Sequence, residues 1–334
     1  MRASGREDEP VMLRSYSRLH TILTFLFLLL AAEWLPAQSS PNDNLHTANA
    51  LRDRGEYQQA LAILEPMVQS GAPDAADVGT AWVLLGDIYQ DTGRYNDAQR
   101  AFQNAISAFK NQGKEREEAS AMDNLGSLYL AIGQPEMSKR LRLRVLKVLE
   151  KTGDHASLAR LYNNLAATAL QRNDTKEGRK YIDRAFQEVR LAPEVAYDDL
   201  AAMASNAGWL RVHDHDYQQA LAYYEDARRL WIKQHGMNHP QTGWGYVLCG
   251  RARAFLGDAQ QGLEDVRTGL NIIENTAGTH VSIYFASRLA YADALYAAGS
   301  RKESKAVRQD ALSSLQSFLH GKASESAISA DAFR

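Results

Sequence analysis

Between Gly79 and Lys110 the apolar residues fall into two groups, each at helical spacing. Trp82, Leu85, Ile88 and Tyr89 share one face of a first helix, and Ala98, Phe102, Ala105 and Ile106 share one face of a second. Thr92-Gly93-Arg94 interrupts the period between them and predicts a turn. The pattern then returns along the chain. Aligned from Pro41, Gly79, Ala119, Ala159, Ala201, Gly243 and Phe285, the eighth places are Ala48, Gly86, Gly126, Ala166, Gly208, Gly250 and Ala292. The twentieth places are Ala60, Ala98, Ser138, Gly178, Ala220, Gly262 and Ser304. Small side chains at two fixed places let paired helices approach backbone to backbone. Gly86 makes room for a partner helix, and Phe102 is expected to insert between helices with Ala98 and Ala105 beside it. The fifteenth places are Gly55, Gly93, Gly133, Asn173, His215, Gly257 and Gly299, residues that let the chain reverse at positive φ. Starts 38 to 42 residues apart predict an all-α stack of about seven helix-turn-helix hairpins.

These marks resemble the tetratricopeptide repeat, with W-x₂-L-G-x₂-Y, a turn glycine and a later A-x₃-F-x₂-A. Trp82, Leu85, Gly86, Tyr89, Gly93, Tyr95, Ala98, Phe102 and Ala105 match at every place. Leu125, Gly126, Tyr129 and Gly133 carry the first half of the third repeat. Gly55, Tyr57 and Ala60 carry the second half of the first, and His215, Tyr217, Ala220, Tyr224 and Ala227 that of the fifth. The sixth and seventh are degenerate, with Arg253 in place of the first-helix aromatic and Ser304 and Arg308 in the last helix. The resemblance covers residues 41–318 and implies a right-handed α-solenoid. The starts are farther apart than the family's usual 34 residues, and the extra residues are expected to lengthen the helices. The phrase His235-Gly236-Met237-Asn238-His239-Pro240 is similar to the long repeats of kinesin light chains and their bacterial relatives, a likeness of geometry alone. Residues 319–334 read as a polar, disordered tail.

The family's first helices line a concave groove, so the resemblance implies a non-catalytic scaffold that holds a peptide or protein segment there. Asn124, Asn164 and Asn206 occupy one place in three consecutive repeats, with Asn163 adjacent. An amide donates and accepts, so this ladder either grips an extended ligand backbone or bonds to neighbouring helices. Asn49, Asp87, Asp123, Ser127, Arg160, Gln171, Trp209, His213, Trp244, Arg251 and Asp293 are the further groove candidates. The two tryptophans read either as anchor pockets or as packing between repeats. The family's carboxylate clamp is not clearly reproduced by Arg160 and Arg251.

Charge and motif content narrow the alternatives. The 334 residues carry a net charge of −2, which argues against nucleic acid as a partner. Arg140, Arg142, Arg144 and Lys147 alternate with apolar residues and read as the solvated face of an amphipathic helix. No phosphate loop, nucleophile elbow or His-Glu-x-x-His motif occurs, so neither a cofactor nor enzyme activity is expected. His213-Asp214-His215-Asp216 offers metal-ligand chemistry, and a metal-dependent enzyme centred on His213 and His215 is one alternative. The tetrapeptide also falls where the other repeats turn. The single cysteine, Cys249, lies on an apolar place and reads as a buried thiol.

Arg14 and Arg18 precede the apolar run Leu19–Ala32, and Leu35-Pro36-Ala37 follows it. This pattern predicts an export signal over residues 1–37, with a periplasmic or extracellular location. The run is shorter than the roughly 20 residues of a membrane span. If it is retained, the chain is a membrane-anchored envelope assembly factor, the other alternative. Met12 is a candidate start that gives the signal an ordinary length. Removal to Ala37 takes four basic and four acidic residues and leaves the net charge unchanged.

Overall fold

A computed structural model describes residues 41–69, 77–279 and 281–323. Among them are fourteen α-helices and no strands. They are α1 (Pro41–Asp53), α2 (Tyr57–Gln69), α3 (Val78–Asp91), α4 (Tyr95–Asn111), α5 (Glu115–Ala131), α6 (Pro135–Leu149), α7 (His155–Gln171), α8 (Thr175–Leu191), α9 (Tyr197–His213), α10 (Tyr217–His235), α11 (Pro240–Phe255), α12 (Ala259–Ala277), α13 (Ser282–Ala297) and α14 (Arg301–Ala323). Each odd-numbered helix packs on the even-numbered helix after it, and each pair packs on the next. The described residues form an all-α solenoid of seven hairpins.

The tight turn inside each hairpin has one conformation. The fifteenth place of all seven hairpins has positive φ, from 58° at Asn173 and 59° at His215 to 99° at Gly257. Asparagine and histidine are among the non-glycine residues that enter this region most readily, asparagine through its short polar side chain. Four helices in three hairpins add a side-chain cap, three of them just after this turn and one ahead of α7. Asp154, Asp174, Asp216 and Asp258 accept from the backbone N–H three residues on, at 2.9 to 3.4 Å. A satisfied N–H at a helix start stabilises by about 1 kcal/mol.

The first helices begin up to four residues ahead of the repeated phrase, because the phrase marks helix contacts rather than helix ends. The second helices lengthen from 13 residues in α2 to 19 in α10 and α12. The last runs to Ala323, five residues beyond the expected end of the array at Phe318. Residues 1–37, where the export signal is expected, lie outside the described residues, as do residues 324–334. Among the described residues no helix is long and apolar enough to cross a membrane.

The core is a string of clusters, most of them shared between neighbours. Leu45, Leu64, Leu85 and Ile88 join hairpins one and two, and Phe102, Leu125, Leu128 and Tyr129 join two and three. Tyr224, Trp231, Leu248 and Ala252 join five and six. Burial is thus largely nearest-neighbour, as a linear repeat array requires. The small residues act as read from the chain. A Cβ on Gly86 would lie 2.5 Å from the Phe102 ring, and a Cβ on Gly208 equally close to Tyr224. In the sixth hairpin the aromatic is replaced by Val266, and the helices close further. There Gly250 and Gly243 face the carbonyls of Gly262 and Gly269.

A candidate binding face on the first helices

Alignment of the second helices gives Leu64, Phe102, Arg142, Ile182, Tyr224, Val266 and Arg308 at the twenty-fourth place. Five of these are apolar or aromatic, and in Arg142 a guanidinium fills the same slot. It is 1% exposed, which corrects the reading of Arg142 as part of a solvated basic face. Arg140, Arg144 and Lys147 are exposed, as that reading requires. Helical spacing places Arg142 toward α5, opposite Gly126, while its three basic neighbours point away.

A buried guanidinium needs its donors satisfied. Arg142 Nε donates to Asp123 Oδ1 at 3.0 Å, and its other nitrogens donate to Ser127 Oγ, Ser138 Oγ, Thr168 Oγ1 and the Asn164 carbonyl. Asn164 Nδ2 then donates to the second Asp123 oxygen at 2.9 Å. One network therefore joins α5, α6 and α7 and fixes both oxygens of a carboxylate at the face of the first helices. The signal was present in the sequence. Arg142 stands in register with Phe102, and the polar Ser138 and Ser127 stand where they can receive it.

The same face carries further links between successive first helices. Arg52 of α1 pairs with Asp87 at 3.5 Å and with Asp91 at 3.0 Å in α3. Gln171 of α7 donates to the Leu130 carbonyl of α5 at 3.2 Å. Asn206 of α9 donates to Asn163 of α7 at 2.9 Å. Arg251 of α11 lies 2.7 Å from Asp293 of α13. The asparagine ladder is thus engaged within the protein at Asn164 and Asn206, with Asn163 as an acceptor. Asn124 is half-buried, and Asn49 is exposed and bonds Asp53 one turn along its own helix. Burial lifts the Asp87 carboxyl to about 6, with the nearby Arg52 opposing the rise.

Trp244 packs against the clusters of hairpins five, six and seven, and Trp209 against Ala166, Leu170, Ile182 and Leu210. Both lie between repeats and remain partly accessible. The His213-Asp214-His215-Asp216 turn divides its side chains among separate tasks. Asp214 pairs with Arg179 at 2.9 Å, Asp216 caps α10, His215 bonds the Tyr217 hydroxyl, and the His213 ring leans on Trp209. Among the described residues no group of three or more metal-ligating side chains converges. Cys249 is buried, and burial pushes its thiol up to about 12. Arg253 is paired with Asp265 and Glu225, tying α11 to α12 and α10.

One cavity opens beside the Arg142 network. It encloses about 130 Å³ and is lined by Arg116, Ser120 and Asp123 of α5, Val145 and Leu149 of α6, and Asp154, Ser157, Arg160 and Leu161 at the start of α7. Arg116, Ser120 and Arg160 are exposed, whereas Asp154 is occupied by capping α7. Two guanidinium groups and one hydroxyl therefore face solvent around the fixed carboxylate of Asp123, while the Ser157 hydroxyl donates to Asp154 at 2.8 Å. This is a polar recess that offers several donors to an incoming chain. Of the residues singled out in the sequence, the structure brings Asp123 and Arg160 to this recess, with Asn164 bonded to the Asp123 carboxylate. Asn49, Asp87, Trp209, Trp244 and Arg251 lie in other repeats.

Fold and side-chain register define a helical-repeat protein of the tetratricopeptide type. The model of the Tetratricopeptide repeat family matches residues 77–151 and 199–274. Those two segments carry tetratricopeptide repeats, and the repeats are similar to those of kinesin-light-chain-related proteins. Protein KINESIN LIGHT CHAIN-RELATED 2 of Arabidopsis thaliana is 22% identical over 227 residues, which are 67% of this chain and 33% of that protein. The chain thus spans about a third of the length of this curated relative. Among solved structures, a Rap protein complexed with Competence and Sporulation Factor superimposes with a TM-score of 0.66 at 14% identity, over 94% of this chain and 88% of that one. BtubC from P. vanneervenii superimposes with a TM-score of 0.51 at 17% identity, over 73% of this chain and 95% of that one.

Proposed function

We propose that this protein is a non-catalytic scaffold that holds a peptide or protein segment along the concave face formed by its first helices. The observation that carries this reading is the recess between α5, α6 and α7, where Arg116, Ser120 and Arg160 are exposed around a carboxylate fixed by Arg142. Rigid donors reduce the ordering cost of binding to that of the ligand. The tetratricopeptide repeats support a protein partner, and the complex of the Rap neighbour is consistent with one. Because Asn164 and Asn206 are bonded to other first helices, the ligand contacts are assigned to Arg116, Ser120, Asn124 and Arg160. We further propose export of the chain, on the strength of Leu19–Ala32. The intact mass of protein recovered from the envelope tests it, and an uncleaved chain would point to an anchor instead.

The groove is tested by selecting binders from a random peptide library against the full chain. Selected peptides should lose about tenfold or more in affinity on Arg160→Glu or Arg116→Glu, since a charge-assisted contact is worth roughly 1.5–3 kcal/mol. The control Lys147→Glu should leave them unchanged. Peptides that bind all three variants alike would place the binding surface elsewhere.

A further inference from the structure

The last hairpin differs from the others in what covers its second helix. In hairpin two, Tyr95, Gln99, Phe102 and Ile106 line one side of α4, and Tyr95, Phe102 and Ile106 join a cluster with Leu125, Leu128 and Tyr129 of α5. The same four places on α14 are Arg301, Lys305, Arg308 and Leu312. Their spacing keeps them on one side of the helix. All four are exposed, Leu312 by 44%, and Tyr296 of α13 is 56% exposed. Among the described residues no helix follows α14 to cover them.

An open cavity of about 390 Å³ is lined by Asp293, Tyr296, Arg301, Ser304, Lys305 and Arg308. Arg308 pairs with Asp293, a carboxylate already engaged by Arg251. The Arg301 guanidinium lies 5.7 Å from the centre of the Tyr296 ring. Ser304 is buried and donates to the Ala292 carbonyl at 2.7 Å. Lys305 makes no ion pair among the described residues. Three cations thus meet one shared carboxylate on a chain whose net charge is −2. The result is a local positive pole flanked by two exposed apolar groups.

We propose that this end face docks an acidic amphipathic helix of a partner protein, seated where a further hairpin would place its first helix. Carboxylates of that helix oppose Arg301 and Lys305, and its apolar side covers Leu312 and Tyr296. Every earlier second helix is covered by a following first helix, so a helix is the shape this surface is built to receive. Its charge selects an acidic one. The proposal is independent of the groove on the first helices and stands or falls separately from it.

The experiment uses the full chain and a fluorescent synthetic helix with Glu and Leu along one side, beside a counterpart with Lys in place of Glu. Anisotropy should show saturable binding of the acidic helix that weakens as salt rises. The double variant Arg301→Glu/Lys305→Glu should lose about tenfold or more in affinity, while Lys302→Glu, off this side of α14, stays within about twofold. Circular dichroism confirms that each variant is folded, and Lys305→Ala serves as a milder second variant. Equal binding of the Lys-bearing helix, or equal binding by the charge-reversed variant, would overturn the proposal. So would failure of the natural sequence to bind. In that event a gain of binding on Glu325→Ser/Asp331→Ser would show that the chain's own C-terminal residues occupy the face.

Discussion

Arg142 Nε donates to Asp123 Oδ1 at 3.0 Å, at the place in hairpin three where hairpin two sets Phe102 against Gly86. One slot in the repeat therefore accepts two kinds of contact, an aromatic ring or a guanidinium with a polar shell. The two have different failure modes. Loss of a ring leaves a void, whereas loss of the guanidinium leaves Asp123 without its counter-ion and Ser127, Ser138 and Thr168 without a shared donor.

Arg142→Ala should cost about 3–5 kcal/mol, the range for breaking a buried pair by removing one partner. The double variant Arg142→Phe/Asp123→Asn should recover most of that loss, because it removes the orphaned charge and refills the slot. Urea denaturation of the two variants checks both values. Equal destabilisation would mean that the network contributes through more than charge balance.

The two glycines opposite this slot should respond differently to a methyl group. On Gly86 it meets the Phe102 ring at 2.5 Å, and on Gly126 it meets the flexible Arg142 Cγ at 3.4 Å. Gly86→Ala should lose about 1–3 kcal/mol to overpacking. Gly126→Ala should be neutral or stabilised by up to about 1 kcal/mol, the helix-propensity gain of alanine over glycine. Thermal melts that rank the pair the other way would contradict the assigned packing.

Asp87 supplies a pH dependence with a defined sign. Burial raises its folded pKa from 3.8 to about 6, so between those values the folded state keeps a proton that the unfolded chain has lost. Its effect on stability is most favourable below about 4 and declines as pH rises to about 6, by roughly 1–3 kcal/mol. Asp87→Asn should flatten that part of the stability profile, since Arg52 keeps its bond to Asp91 at 3.0 Å. Denaturation midpoints across this window, compared between the two proteins, provide the check.

Cys249 should be silent in the native state. It is buried on α11, and burial holds the thiol protonated with a pKa near 12. A thiol reagent at neutral pH should label it only as fast as the chain opens, and labelling should become rapid in denaturant. Fast stoichiometric labelling of the native protein would contradict its placement.

Much of this protein was legible along the chain because a repeat states its physics several times over. Gly86 and Phe102 are readable as partners since Gly208 and Tyr224 repeat the relationship at the same spacing. Asn173 and His215 are readable as turn residues since the other five hairpins have glycine at that place, and all seven have positive φ. The candidate face was less legible. Asn164 and Asn206 stand in register, but register does not say whether an amide meets a ligand or the next helix. Here each meets a neighbour, Asp123 in one case and Asn163 in the other. Arg142 was missed because three exposed basic residues surround it and local alternation reads as a solvated strip.

The order of hairpins, their turns and the closeness of their helices were set by the linear sequence, because each depends on contacts within one repeat or between consecutive repeats. Tertiary structure alone decided which polar side chains were consumed. Whether Arg142, Asn206 or Arg251 finds a partner depends on the rotation and offset of one hairpin against the next, and that geometry places groups about 40 residues apart within 3 Å of each other. Arg301, Lys305 and Arg308 look like any charged helix surface in the sequence. They form a positive face only because, among the described residues, no further helix packs over them.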